Sequence, residues 1–106
     1  MTSTAHDPME MLRGTLEDRF QLHTDQLSEL TVLSQQTHRG GYDQQTLAAL
    51  VSSLRQAVAD TADALRRMAE GTYGSCERCA VSIPLDRLEV LPHARLCVSC
   101  QQFPVH

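Results

Sequence analysis

Two long amphipathic segments, separated by a short turn, make up most of the chain. In the second segment, apolar side chains recur at alternating intervals of four and three residues, which is the heptad repeat of a helix that packs along another helix. The members of this repeat are Leu47, Val51, Leu54, Val58, Thr61, Leu65 and Met68. Only Thr61 in this series is polar. The pattern predicts an α-helix over about residues 44–70, with one long apolar seam.

The first segment is less regular. Its seam consists of Met9, Leu16, Phe20, Leu27 and Leu30, widened by Leu12 and Leu33. Arg13 and His23 interrupt this face. Asp7 precedes Pro8, and Glu10 follows three residues after Asp7, which is the order of an N-cap, a helix-starting proline and a capping box. The sequence therefore predicts a helix that begins at Pro8 and runs to about residue 37.

The turn between the segments predicts how the two helices meet. Gly40 and Gly41 break a helix, and Asp43 can cap the next one. The two seams have similar lengths, so we expect the helices to fold back on each other with a tip at residues 38–43. The alternative is that each chain supplies half of a dimeric bundle. The short turn favours the hairpin within one chain, and we expect a monomer.

The composition changes at Gly71, a residue suited to end the second helix. Arg66 and Arg67 are expected at the negative end of that helix dipole, and Asp60 and Asp63 on a solvated face. All four cysteines follow Gly71. The predicted fold is mainly α: an antiparallel two-helix coiled-coil hairpin in residues 1–70, followed by a small four-cysteine zinc finger in residues 71–106.

Net charge and hydropathy exclude several classes of protein. The chain carries a formal net charge of −4, which disfavours binding of duplex DNA through its phosphates. The longest apolar run, from Leu47 to Val51, is far too short for a membrane span or the core of a signal peptide. We therefore expect a cytoplasmic protein that is bound neither to membranes nor directly to nucleic acid.

The cysteines carry the strongest chemical signal. Cys76 and Cys79 form one Cys-x-x-Cys pair, and Cys97 and Cys100 form another after a 17-residue spacer. Two such pairs supply four thiolates to one tetrahedral Zn²⁺. Two disulfides, a redox dithiol and an iron–sulfur cluster are the alternatives, and a reducing cytosol disfavours the disulfides. Four protein ligands leave no open position for water, so one structural zinc and no enzyme activity are expected.

Few large apolar side chains are available to fold the cysteine-rich half. They are Tyr73, Ile83, Leu85, Leu88, Leu91, Leu96 and Phe103. A segment of this size rarely folds alone. We therefore expect zinc to provide most of its folding free energy, and this half to unfold without metal.

Several short motifs around the cysteines carry a family resemblance. They are Gly71-Thr72-Tyr73-Gly74-Ser75-Cys76-Glu77-Arg78-Cys79, Ile83-Pro84, Arg87-Leu88, Pro92-His93-Ala94-Arg95 and Cys97-Val98-Ser99-Cys100. In spacing and intervening residues they resemble the zinc finger of the DksA/TraR family. The preceding hairpin also resembles that family's fold, a coiled coil with a zinc finger at its base.

The resemblance implies a bacterial transcription factor without catalytic activity. Members bind RNA polymerase directly and not DNA. They insert the coiled coil through the secondary channel toward the active site, while the finger and the base of the coil rest on the polymerase rim. The larger members act with the alarmone ppGpp in the stringent response, so ppGpp at the polymerase interface is a further partner that the resemblance implies.

Three features depart from the family pattern. The larger members have an acidic Asp-x-x-Asp-x-Ala tip, whereas this turn offers His38, Arg39, Tyr42 and a single Asp43. Arg39, Tyr42 and Asp43 are the candidate residues for contact with the polymerase, although Asp43 also has a structural role as N-cap, and the turn could be a mere connector. Ala80 stands where the family often has glycine, so a left-handed backbone there would cost about 1–2 kcal/mol. The short stretch after the finger leaves a response to ppGpp open.

Other functions compete with polymerase binding. The finger could dock on another protein as a zinc-ribbon adaptor, or the hairpin could self-associate with no polymerase role. A finger that reads DNA is disfavoured, because acidic side chains offset its arginines and four thiolates with one Zn²⁺ add two negative charges. Thiol or zinc sensing is a further alternative.

Overall fold

The structure is a computed structural model and describes residues 7–36 and 41–102. Within these two ranges lie four helices: α1 (Pro8–Ser34), α2 (Gln44–Glu70), α3 (Leu85–Val90) and α4 (Val98–Gln102). Within the described ranges there is no strand, only an isolated antiparallel bridge between Ser75 and Ser82. The mainly α fold class is therefore confirmed.

Helix α1 starts as the sequence predicts. The Asp7 side chain accepts a hydrogen bond from the Met9 amide at 3.0 Å, and Pro8 occupies the first turn. Glu10 does not complete a capping box in this structure but lies 3.5 Å from Arg13. The helix ends at Ser34, earlier than the predicted residue 37, and the amide of Gln35 bonds back to the Val32 carbonyl.

Helix α2 has defined caps at both ends. The Asp43 carboxylate accepts a hydrogen bond from the Thr46 amide at 2.6 Å. At the other end, Gly71 has a φ of 82°, and its amide bonds to the last turn of the helix. That left-handed conformation is accessible to glycine at little cost, which is why the helix ends here.

Helices α1 and α2 pack along each other as a hairpin. Each has 27 residues, hence a length of about 40 Å. Leu16 and Leu47 are fully buried between them. Because each helix has only one long neighbour, the seam residues Leu27, Leu54 and their equivalents stay half-exposed. The radius of gyration, 17.0 Å, exceeds the roughly 13 Å of a compact chain of this length, so the molecule is less compact than a typical globular domain.

The base of the hairpin carries a separate apolar core. Leu12, Ile83, Leu88 and Ala94 are buried together, and Met68 and Tyr73 pack against them. Leu12, which the sequence placed at the margin of the seam, is therefore a central contact, whereas the predicted seam residue Met9 is 39% exposed. The finger is thus docked on the hairpin. The predicted boundary between two domains, after residue 70, stays a prediction.

Two further expectations concern membranes and the tip. No helix in the described part of the chain is long and apolar enough to cross a membrane. His38 and Arg39 lie outside the described residues, as does Phe103 in the finger.

Candidate metal centre

The four cysteines converge on one point. The Sγ atoms of Cys76, Cys79, Cys97 and Cys100 all lie within 4.8 Å of one another. The Sγ atoms of Cys79 and Cys97 are 3.7 Å apart. A tetrahedral zinc with Zn–S bonds of about 2.3 Å requires sulfur–sulfur separations of about 3.8 Å. The donor set and its spacing therefore fit one Zn²⁺.

The first Cys-x-x-Cys pair lies on a tight backbone loop. The Cys76 amide donates to the Val81 carbonyl at 2.8 Å, and the Ala80 amide donates to the Cys76 carbonyl at 2.9 Å. Ala80 has a φ of +67°, the only positive φ of a non-glycine residue in the described ranges. From the sequence, strain at Ala80 is conditional on a left-handed backbone at this position. The structure shows that backbone, because the loop needs a left-handed residue after the second cysteine.

The second pair is carried by helix α4. Cys97 immediately precedes this helix, and the Gln101 amide donates to the Cys97 carbonyl at 2.9 Å. Two contacts join the pairs: the Glu77 amide donates to the Arg95 carbonyl at 2.9 Å, and the Arg78 guanidinium lies 3.4 Å from the Cys100 carbonyl. The two pairs are thereby held face to face.

The thiols have unequal acidities in the absence of metal. Backbone amides of Cys79 and Cys97 lower the pKa of Cys76 to about 6. Burial and the neighbouring thiol groups raise the pKa of Cys100 to about 12. One thiolate therefore forms readily at neutral pH, whereas another proton must be displaced by the cation.

The arrangement suits a structural metal and not a catalytic one. All four donors are protein sulfurs, and Cys76 and Cys97 are only 3% and 8% exposed. A zinc held by four thiolates has no coordination position left for water or substrate. When bound, the ion ties the two loops together and neutralises part of their negative charge.

The described tip residues, Tyr42 and Asp43, lie at the opposite end of α2 from the cysteines. Tyr42 is 43% exposed. Asp43 caps α2, and the hydrogen bond from the Thr46 amide lowers the pKa of its carboxyl. About 40 Å of helix separates Tyr42 and Asp43 from Gly71, so these two residues are remote from the metal centre.

The contact between Arg67 and Asp63 was not foreseen from the sequence. Asp63 was expected on a solvated face and Arg67 only near the negative end of the α2 dipole, yet Arg67 is 3% exposed and its Nε lies 2.9 Å from the Asp63 carboxylate. Hydrogen bonds from Arg66 and Arg67 outweigh the effect of burial and lower the pKa of Asp63. The spacing of four residues between opposite charges was the available signal, but it does not distinguish an exposed pair from a buried one.

Comparisons with known proteins agree with this geometry. Residues 71–104 match the family model of the prokaryotic dksA/traR C4-type zinc finger. General stress protein 16O of Bacillus subtilis (strain 168) is 43% identical over 47 residues, which are 44% of this chain and 29% of that protein. An uncharacterized protein of Aquifex aeolicus (strain VF5) is 46% identical over 39 residues, 37% of this chain and 27% of the relative. The matched segments thus span less than a third of these relatives.

The fold also has a solved counterpart. Transcription factor DksA2 from Pseudomonas aeruginosa superposes with a TM-score of 0.75, covering 92% of this chain and 83% of that one, at 22% sequence identity. At this identity the match establishes the fold. The resemblance noted from the sequence is confirmed by the family model for the finger and by this match for the architecture, and the cofactor of such a C4 finger is one structural Zn²⁺.

Proposed function

We propose that this protein is a bacterial transcription regulator that binds RNA polymerase directly and inserts its hairpin into the secondary channel. The observation that carries the proposal is the combination of a dksA/traR-type finger with a 40 Å hairpin whose far end is exposed. The DksA2-like architecture supports it. The protein then acts as a monomer in the cytoplasm, without catalysing a reaction and without binding DNA itself.

The proposal gives each end of the molecule a task. Cys76, Cys79, Cys97 and Cys100 hold one Zn²⁺, which keeps the finger folded at the base. At the tip, Arg39, Tyr42 and Asp43 meet the catalytic elements of the polymerase. A contact with ppGpp at the polymerase interface belongs to the same proposal.

Binding is tested by co-purification with RNA polymerase, followed by competition with a ligand of the secondary channel. We expect a stoichiometric complex that the competitor displaces, and no shift of promoter DNA by the protein alone at physiological salt. A complex that resists the competitor would favour the alternative, a zinc-ribbon adaptor that docks elsewhere. Tight sequence-dependent binding of DNA without polymerase would contradict the proposal.

The tip is tested separately with Asp43→Asn. Asparagine caps a helix nearly as well as aspartate but carries no charge. The variant is expected to keep the melting temperature and polymerase binding of the wild type while weakening its effect on transcription in vitro. If the triple alanine variant of Arg39, Tyr42 and Asp43 leaves transcription unchanged at saturating protein, the tip is only a connector.

A further inference from the structure

One charged side chain is buried in the described part of the molecule, and it lies where the hairpin meets the finger. Arg67 is 3% exposed. The other buried polar side chain, Thr61, bonds to the Ala57 carbonyl of its own helix. Burial of a guanidinium is costly unless acceptors surround it. The partners of Arg67 therefore decide whether its position is stable.

Those partners come from two different parts of the chain. On α2, the Asp63 carboxylate lies 2.9 Å from the Nε of Arg67. In the finger, the carbonyls of His93 and Ala94 each lie 3.4 Å from a terminal nitrogen, and the Glu77 carboxylate lies 3.9 Å from Nε. The Tyr73 ring is 5.8 Å from the guanidinium carbon. Each finger contact is long and individually weak, so the finger adds to the Asp63 ion pair only through the joint presence of these contacts.

The finger partners are positioned by the cysteine loops. Glu77 follows Cys76 directly, and its amide donates to the Arg95 carbonyl, which lies next to Ala94. His93 and Ala94 lead into Cys97. Both halves of the metal centre thus contribute acceptors to the same guanidinium, and these acceptors converge only while the two loops face each other.

Loss of the metal would leave the buried charge of Arg67 with fewer acceptors. With the loops apart, the carbonyls and Glu77 no longer converge, and only Asp63 remains to compensate the buried charge. Removing one side of a buried ionic contact is strongly destabilising. The base of the hairpin must then rearrange to let Arg67 reach water, which changes the direction of the hairpin relative to the finger.

We propose that Arg67 couples zinc occupancy of the finger to the direction of the hairpin. Coupling between two sites is reciprocal. Metal binding therefore fixes the hairpin, and the docked hairpin tightens metal binding. Arg67 is a positioning residue in this scheme, since it acts on the metal centre through the loops and touches no ligand atom. The proposal does not depend on polymerase binding.

The test compares Arg67→Met with Arg66→Met in the full chain. Methionine keeps most of the volume of Arg67 and removes every donor. Arg66 shares the partner Asp63 but otherwise pairs with Glu70 on α2 and is 55% exposed in its side chain, so its variant controls for the loss of a charge from the same helix turn. Zinc affinity is measured by competition with a chromophoric chelator, with zinc as the only added ligand.

Arg67→Met is expected to weaken zinc binding about tenfold, within the usual range for coupled sites, whereas Arg66→Met stays within about twofold of the wild type. The zinc affinity of Arg67→Lys should lie between those of the wild type and Arg67→Met, because lysine keeps the positive charge but lacks the planar guanidinium with its several donors. If Arg67→Met does not fold, the zinc affinity of Arg67→Lys is compared with that of the wild type instead, and an unchanged affinity would overturn the proposal.

A distance measurement separates coupling from a merely structural role. Spin labels attached without cysteine chemistry at Ser53 on α2 and Val90 on α3, both exposed, report the direction of the hairpin. The zinc-loaded wild type should give one narrow distance distribution that broadens on chelation, and zinc-loaded Arg67→Met should already be broad. Wild-type zinc affinity in Arg67→Met, or a distribution as narrow as that of the wild type, would overturn the proposal.

Discussion

Replacing Ala80 with glycine should stabilise the metal centre. Ala80 follows the second cysteine with a φ of +67°, in the region where an L-residue brings its Cβ against the following carbonyl oxygen. Its amide is needed where it is, since it donates to the Cys76 carbonyl at 2.9 Å. The loop therefore holds a strained conformation that glycine adopts without penalty.

The magnitude follows from two opposing terms. Relief of the left-handed strain is worth about 1–2 kcal/mol. The extra freedom of glycine in the unfolded chain offsets about 0.4–1 kcal/mol of that gain. The net stabilisation is about 1 kcal/mol. Because folding of a small finger is coupled to metal binding, this should appear as an approximately fivefold gain in zinc affinity.

The assay is zinc competition with a chelator, supported by two controls. In Ala59→Gly, the same replacement falls on an exposed site in the interior of α2 and should lower the stability of the helix by about 1 kcal/mol. In Gly74→Ala, alanine replaces a glycine whose φ is 88°, which is the reverse of the change at Ala80. The new Cβ would meet only the Leu88 Cδ1 atom, at an ordinary 3.8 Å. The strain alone should then weaken zinc binding severalfold.

The result that refutes this reasoning is specific. If Ala80→Gly binds zinc no more tightly than the wild type while Gly74→Ala binds it more weakly, left-handed strain at Ala80 does not limit the centre. An unchanged affinity in both variants would mean that the loops fold independently of these two φ angles.

Three further predictions follow from the core and the metal centre. Cys97→Ser should abolish stoichiometric zinc in elemental analysis and unfold the finger, while circular dichroism still shows much of the helix. Leu16→Ala, at a fully buried site, should cost about 2–5 kcal/mol in chemical denaturation, whereas Leu22→Ala, at a side chain 53% exposed, should cost less than about 1 kcal/mol. Burial and the neighbouring thiol groups raise the pKa of Cys100, so protons compete with the metal for this sulfur. The apparent zinc affinity should therefore fall about tenfold or more for each unit of pH below 7. A zinc affinity independent of pH would mean that no proton is displaced.

The parts of the fold that depend on local pattern could be predicted from the sequence. The caps Asp7, Asp43 and Gly71 act through their own backbone neighbourhood, and each is found in its predicted role. The convergence of the cysteines follows from their spacing, because two residues between the members of each pair allow both thiols of that pair to face one ion. Strain at Ala80 could be predicted only conditionally, because the resembled family often has glycine at that position, and its φ of +67° meets that condition.

The parts that depend on how the finger docks could not be predicted. A heptad pattern orders α2 against α1 but carries no information about a third element at the base. Met9 was therefore expected in the seam although it is largely exposed, and Leu12 forms the base core instead. The burial of Arg67 could not be predicted for the same reason, because its acceptors at His93 and Ala94 are more than 25 residues away in sequence.

The length of α2 makes the hairpin a lever whose pivot is the base. Over about 40 Å, a rotation of about 10° at the pivot displaces the far end by about 7 Å. A hydrogen bond tolerates only a few tenths of an ångström, so if Tyr42 and Asp43 contact a partner as proposed, that contact depends on angles of about one degree set at the other end of the molecule. Under the same proposal, side chains that stiffen the pivot, Leu12 and Arg67 among them, fix the position of the tip from about 40 Å away.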